Sequence, residues 1–136
     1  MAEKKSIWTL GLTAVAAALF ATLGLRFLAL LVIDVPAEFP PLAGIAPTIF
    51  FTTVSSIAAV GVYALVRRTS DRADTVFRWI ALVVLLVSFV PDFLLLSEGA
   101  SEAFPGATPA GAGVLMAMHV AAAAAIVGVL TTGARD

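Results

Sequence analysis

The sequence predicts an all-α integral membrane protein, a bundle of four transmembrane helices running up, down, up and down. Three observations carry this. First, 61% of the 136 residues are hydrophobic and only 12% are charged, against roughly half and a quarter in soluble chains. Second, the apolar residues gather into four unbroken runs of membrane-spanning length. Third, apart from Arg26, Lys and Arg are confined to the termini, the second connection and the start of the third run.

The runs are Ile7–Ile33, Ala43–Val66, Phe77–Leu96 and Ala112–Leu130. Each is near the ~20 residues a helix needs to cross a hydrocarbon core of ~30 Å. They lack the alternating apolar and polar positions of barrel strands, so helix is the expected conformation. The first run exceeds the ~7–15 apolar residues of a cleavable signal core, so it is expected to stay as a membrane span. Mean hydropathy is +1.07. A soluble domain of this length has too little interior to bury so much apolar surface, and the whole chain, residues 1–136, is expected to form one transmembrane domain.

The connections punctuate the runs. Residues 34–41 carry Pro36, Pro40 and Pro41, which interrupt helix and favour extended backbone. Residues 67–74 form a charged turn in which Ser70 or Asp71 is placed to cap the third helix. Residues 97–111 are rich in Gly, Ala and Pro and predict an irregular loop. Short connections place consecutive helices side by side and antiparallel.

Orientation follows from charge. Lys4, Lys5, Arg67, Arg68, Arg72, Arg78 and Arg135 fall at the termini, in the second connection or at the start of the third run. The first and third connections hold only the acidic Asp34, Glu38, Glu98 and Glu102. Because basic residues remain on the cytoplasmic side, both termini and the second connection are expected there, in a bacterial inner membrane. Trp8, Tyr63 and Trp79 fall at the same helix ends, where amphipathic rings prefer to sit.

Several classes of chemistry are excluded or left without support. The chain has no cysteine, so disulfides, thiolate metal sites and thiol catalysis are absent. It has no phosphate-binding loop, nucleotide fingerprint or metal-ligand spacing, and no basic surface patch for nucleic acid. A single histidine cannot supply both axial ligands of a bis-histidine haem within one protomer. No cofactor is expected, and the sequence leans against an enzyme.

The candidate functional residues are those that lipid should exclude. Arg26 in the first run, Asp92 in the third and His119 in the fourth all lie within ~10 Å of the outer helix ends at ~1.5 Å per residue. The second run adds Thr48, Thr52 and Ser56 at four-residue spacing on one face. Arg26 and Asp92 are expected to pair between helices, since an unpaired intramembrane charge is costly. Pro91 leaves the Val87 carbonyl without its helical donor, an acceptor that Arg26 or His119 is placed to use. Ser88 lies one turn before Asp92. Arg26, Thr52, Ser88, Asp92 and His119 together predict a polar pocket in the outer third of the bundle. The structural alternatives are a packing pair with no ligand, an Arg26 that snorkels to the interface, and a His119 that only fills the core. Ala117, Ala121 and Ala125, and Ala124 with Gly128, are spaced for close helix approach. Met116 and Met118 read as core filling beside His119.

The third run contains Phe77-Arg78-Trp79 and Ser88-Phe89-Val90-Pro91-Asp92, and the fourth contains Met118-His119-Val120-Ala121-Ala122. A Ser-x-x-Pro helix, a loop and a Met-His-x-Ala-Ala helix resemble an uncharacterised family of small four-span bacterial membrane proteins, over roughly Arg67 to Leu130. The resemblance implies a four-helix bundle, with Ser88, Pro91 and His119 matching its pattern, and implies no mechanism. The sequence therefore favours a non-enzymatic bundle, in contact with the lipid bilayer, that binds a small or lipid-like ligand or a partner helix. The alternative is a proton- or ion-coupled transporter subunit using Asp92 and His119. That role favours a homo-oligomer packed through the small-residue faces, because four helices leave little room for a pathway in one protomer.

Overall fold

A computed structural model describes residues 6–34, 39–97, 102 and 105–133. Four long helices and one short one are delimited among these residues: α1 (Ile7–Val32), α2 (Pro40–Ala43), α3 (Ile45–Thr69), α4 (Ala73–Leu94) and α5 (Pro109–Gly133). There is no strand among the described residues. The four long helices have mean hydropathy of 2.0 to 2.2 over their most apolar stretches and are long enough to cross a bilayer. The protein is a multi-pass membrane protein built as a four-helix bundle.

Side-chain placement inverts that of a soluble protein. Large apolar residues face outward, including Phe20, Phe27, Leu31, Phe50, Phe51 and Val87. Polar residues lie inside: Thr22, Thr48, Thr52, Ser56, Asp92 and Thr131 are all buried. Lipid favours this pattern, since it accepts exposed apolar surface and penalises exposed polar groups.

Each helix end has a local cause. The Ser6 hydroxyl accepts from the Thr9 backbone N–H, capping α1. Arg67 and Arg68 fall in the last turn of α3, and Asp74 falls in the first turn of α4. Both placements suit the helix dipole. The charged stretch is thus mostly helical, and α4 starts at Ala73 instead of Phe77. Ser70 does not cap α4; its hydroxyl accepts from the Arg72 N–H within the turn. At the start of α5, Thr108 accepts from the Gly111 N–H at 3.0 Å and Pro109 occupies the first helical position. This cap extends α5 three residues beyond the expected Ala112. α4 ends just after Pro91 in a tightened turn, with Leu96 and Ser97 donating three residues back.

α1 packs against α3 and α5, and α4 packs against α5 and α3, so α1 and α4 are not neighbours. The closest contact is between α1 and α5. On α1 the buried residues Leu10, Ala14, Ala18 and Thr22 recur every four positions. This is the small-residue face that permits close approach. The expected stripe on α5 serves less: Ala117 and Ala124 are exposed, and a side chain added at Gly128 would meet nothing within 4 Å.

The end bearing Arg67, Arg68, Arg72 and Arg78 is here called the basic end, and the opposite one the loop end. At the basic end the Tyr63 hydroxyl donates to Asp74 Oδ1 at 2.8 Å, and the ring packs edge-on against Phe77. Tyr63 is therefore buried and clamps α3 to α4, whereas Trp8 and Trp79 are exposed as interfacial rings should be. Arg78 donates to Thr131 Oγ1, tying α4 to α5. At the loop end Phe39 is wholly buried among Leu42, Leu95, Ala112, Val114 and Met118. Gly106, at φ +78°, passes so close that a Cβ there would lie 2.7 Å from the Phe39 backbone nitrogen. Only glycine allows both that backbone and that approach.

Candidate functional site

The long helices do not pack equally, and α3 and α4 are joined more loosely than α1 is to α3 or α5, or α4 to α5. Between them lies a groove of about 700 Å³, floored by α5. Its α4 wall is Phe77, Ile80, Ala81, Val84, Leu85, Ser88, Pro91 and Asp92, spaced three and four apart as one helical face requires. At ~1.5 Å per residue this wall runs for roughly 22 Å. Small residues account for the open space. Ala58 and Ala59 on α3, Ala81 on α4, and Ala122 and Ala123 on α5 all line it.

The groove is apolar along most of its length and polar towards the loop end. Thr48 and Thr52 approach from α3, Ser88 and Asp92 from α4, His119 from α5 and Thr22 from α1. Asp92 is buried to 4% exposure, and its Oδ2 lies 2.8 Å from His119 Nδ1. The contact is close but poorly aligned, so neither atom completes a directional hydrogen bond. The His119 side chain remains 40% exposed. Thr48 is 5% exposed, and its hydroxyl also has no hydrogen-bond partner. Buried polar atoms are ordinarily satisfied, which sets these apart.

The expected residues divide into two groups. Thr52, Ser88, Asp92 and His119 do converge on one cavity. Within it, Thr52 Oγ1 lies 3.2 Å from Thr22 Oγ1, joining α1 to α3, and Ser88 donates back to the Leu85 carbonyl at 2.6 Å. Arg26 does not line the cavity. Its guanidinium donates to the Leu42 carbonyl at 2.9 Å, at the end of α2. A cation suits that position, because helix C-terminal carbonyls carry partial negative charge.

The expected pairing of Arg26 with Asp92 is therefore corrected. α1 and α4 are not packed together, and each charge meets another element instead. His119, not Arg26, stands beside Asp92. Neither Arg26 nor His119 was found on the Val87 carbonyl. Sequence reasoning missed two contributors. Thr48, counted only as part of a polar face, supplies an unpartnered hydroxyl. The groove itself depends on small residues facing one another across helices. Among the described residues no three His, Asp or Glu side chains gather in a way that could hold a metal ion.

Comparison with known proteins gives a family and no further relative. The model of DUF6069, a family of unknown function, matches residues 2–136. The chain belongs to that family along its whole length, beyond the half over which the sequence motifs were read. No curated protein and no solved structure matches it.

Proposed function

We propose that this DUF6069 protein is a non-enzymatic bundle of the bacterial inner membrane that holds a small or lipid-like ligand in the groove between α3 and α4. One observation carries the reading: a long apolar groove ends in buried polar atoms that lack hydrogen-bond partners. Its volume of about 700 Å³ falls within the ~300–1,000 Å³ of ligand sites. A molecule with an apolar body and a polar end matches both parts at once. A partner helix that is apolar along its length would cover the groove but leave those polar atoms unsatisfied.

Both termini are assigned to the cytoplasm, which puts the polar end of the groove towards the outer face. Support comes from the Lys and Arg at the termini and second connection, against acidic residues alone in the other two connections. Native mass spectrometry of gently extracted protein tests the binding reading. The expected result is one retained amphiphile per chain, lost when Ala122→Trp fills the groove. Retention unchanged by that substitution would place the ligand elsewhere and overturn the reading.

A second reading is supported by the 2.8 Å approach of His119 to Asp92. Two adjacent ionisable groups within membrane helices are a recurrent feature of proton relays. On that reading the protein is a subunit of a homo-oligomeric transporter. It predicts a pH-dependent flux in liposomes that Asp92→Asn abolishes, whereas the binding reading predicts none.

A further inference from the structure

Resting on the groove as a ligand site, we propose that its occupant is a single-chain amphiphile with a cationic ammonium headgroup, bound with that headgroup at Asp92 and Thr48. Among the described residues, the buried Asp92 carboxylate is the one acidic group lining the groove, and no Lys or Arg lines it. Arg26, the basic residue within the first span, is turned away to the Leu42 carbonyl. An anionic headgroup would therefore meet Asp92 with only His119 to offset it. An ammonium group supplies what the site lacks. Asp92 Oδ2 and Thr48 Oγ1 are buried and complete no directional hydrogen bond, Oδ2 having only the misaligned His119 Nδ1 beside it, and a primary ammonium carries three donors on a compact charge. His119 Nδ1 is buried and lies close to Asp92 but is misaligned. It leaves the carboxylate's hydrogen-bonding capacity open.

The charge of the connections points the same way. The first and third connections contain Asp34, Glu38, Glu98 and Glu102 and no Lys or Arg. Acidic segments at one end of a bundle raise the local concentration of cations and repel anions. The tail requirement follows from the groove's dimensions. Its roughly 22 Å α4 wall exceeds the ~15 Å thickness of one leaflet, half of a ~30 Å core. One extended hydrocarbon chain fits between walls lined by Ala58, Ala81, Ala122 and Ala123.

The test uses three probes of equal chain length: hexadecylamine, hexadecanol and palmitate. Each is titrated into nanodiscs of phosphatidylcholine containing the full chain, with empty discs as the reference. The expected result is saturable, protein-dependent retention of hexadecylamine at one per chain, about tenfold or more above palmitate, since a like-charge juxtaposition is strongly disfavoured. Hexadecanol is expected between the two. Asp92→Asn should remove the preference for the amine while leaving hexadecanol retention in place. Thr48→Val should weaken the amine by a smaller factor and keeps the test valid should the Asp92 variant fail to fold. Ala123→Phe should abolish retention of all three. Equal retention of the three probes, or an amine preference that survives Asp92→Asn, would overturn the headgroup assignment and leave the groove reading intact. No retention of any probe would overturn the groove reading itself.

Discussion

His119 Nδ1 approaches to 2.8 Å from Asp92 Oδ2, although the two residues sit at very different positions in their helices. Asp92 lies two residues before the end of α4, whereas His119 lies ten residues after the start of α5. At ~1.5 Å per residue, α5 thus runs roughly 15 Å, a little under three turns, before it meets the last turn of α4. The loop end of α4 is consequently set lower than that of α5, and Leu95 beneath Phe39 fills the step. This offset brings a carboxylate to the groove without exposing it at the bundle's rim.

The pairing predicts an asymmetric double-mutant cycle. His119→Leu strands a carboxylate that is 4% exposed, whereas Asp92→Leu leaves an imidazole that is 40% exposed. The first should cost more, about 1–3 kcal/mol for a buried group left unsatisfied. The double variant should recover part of that loss, with a coupling of about 1 kcal/mol. Arg26→Leu combined with Asp92→Leu should be additive. Thermal unfolding of detergent-solubilised protein measures all five variants. Coupling between Arg26 and Asp92, with none between Asp92 and His119, would contradict the geometry.

Arg26 should act on the loop end and not on the groove. Its hydrogen bond to the Leu42 carbonyl ties α1 to α2. Loss of a hydrogen bond made by a charged group costs about 1.5–3 kcal/mol, and the local effect should exceed the global one. Arg26→Leu is expected to speed hydrogen exchange across residues 39–44 while leaving α4 and α5 unchanged. Faster exchange at 85–94 instead would reassign Arg26 to the groove.

What could be read from sequence depended on the kind of information needed. Helix number followed from span length, and the inward face of Thr48, Thr52 and Ser56 followed from four-residue spacing; all three are buried. Both depend on one helix at a time. The Arg26 error arose from treating similar depth as proximity. Depth gives a level along the axis but neither the rotation of a helix nor its neighbours, and α1 and α4 are not packed together. The start of α5 was legible in principle, since Thr108 followed by Pro109 is a helix-start pattern. The groove was not legible, because it requires knowing which alanines face each other.

Gly106 should be the least replaceable glycine at the loop end. Its φ of +78° is unfavourable for any residue with a side chain, and a Cβ would lie 2.7 Å from the Phe39 nitrogen. Alanine at such a position destabilises by more than the ~0.4–1 kcal/mol that Gly→Ala gains at compatible sites. Gly24 is the control, since a Cβ there meets nothing within 4 Å. The expected melting temperatures fall for Gly106→Ala and hold or rise for Gly24→Ala. Equal behaviour of the two would show that the contact between the loops does not contribute to stability.

The assigned orientation can be tested with single cysteines, because the natural chain contains none. Ser70 lies in the turn between α3 and α4 and is partly exposed, while Glu102 lies at the opposite end and is exposed. Neither site requires a buried side chain to be replaced. With basic residues retained in the cytoplasm, a membrane-impermeant maleimide added to intact spheroplasts should label Glu102→Cys and spare Ser70→Cys. Permeabilisation should then expose Ser70→Cys to the same reagent. The reverse pattern would invert the topology and place the polar end of the groove on the cytoplasmic side. Labelling of both sites before permeabilisation would be incompatible with α4 crossing the bilayer, because these two positions are separated by that helix.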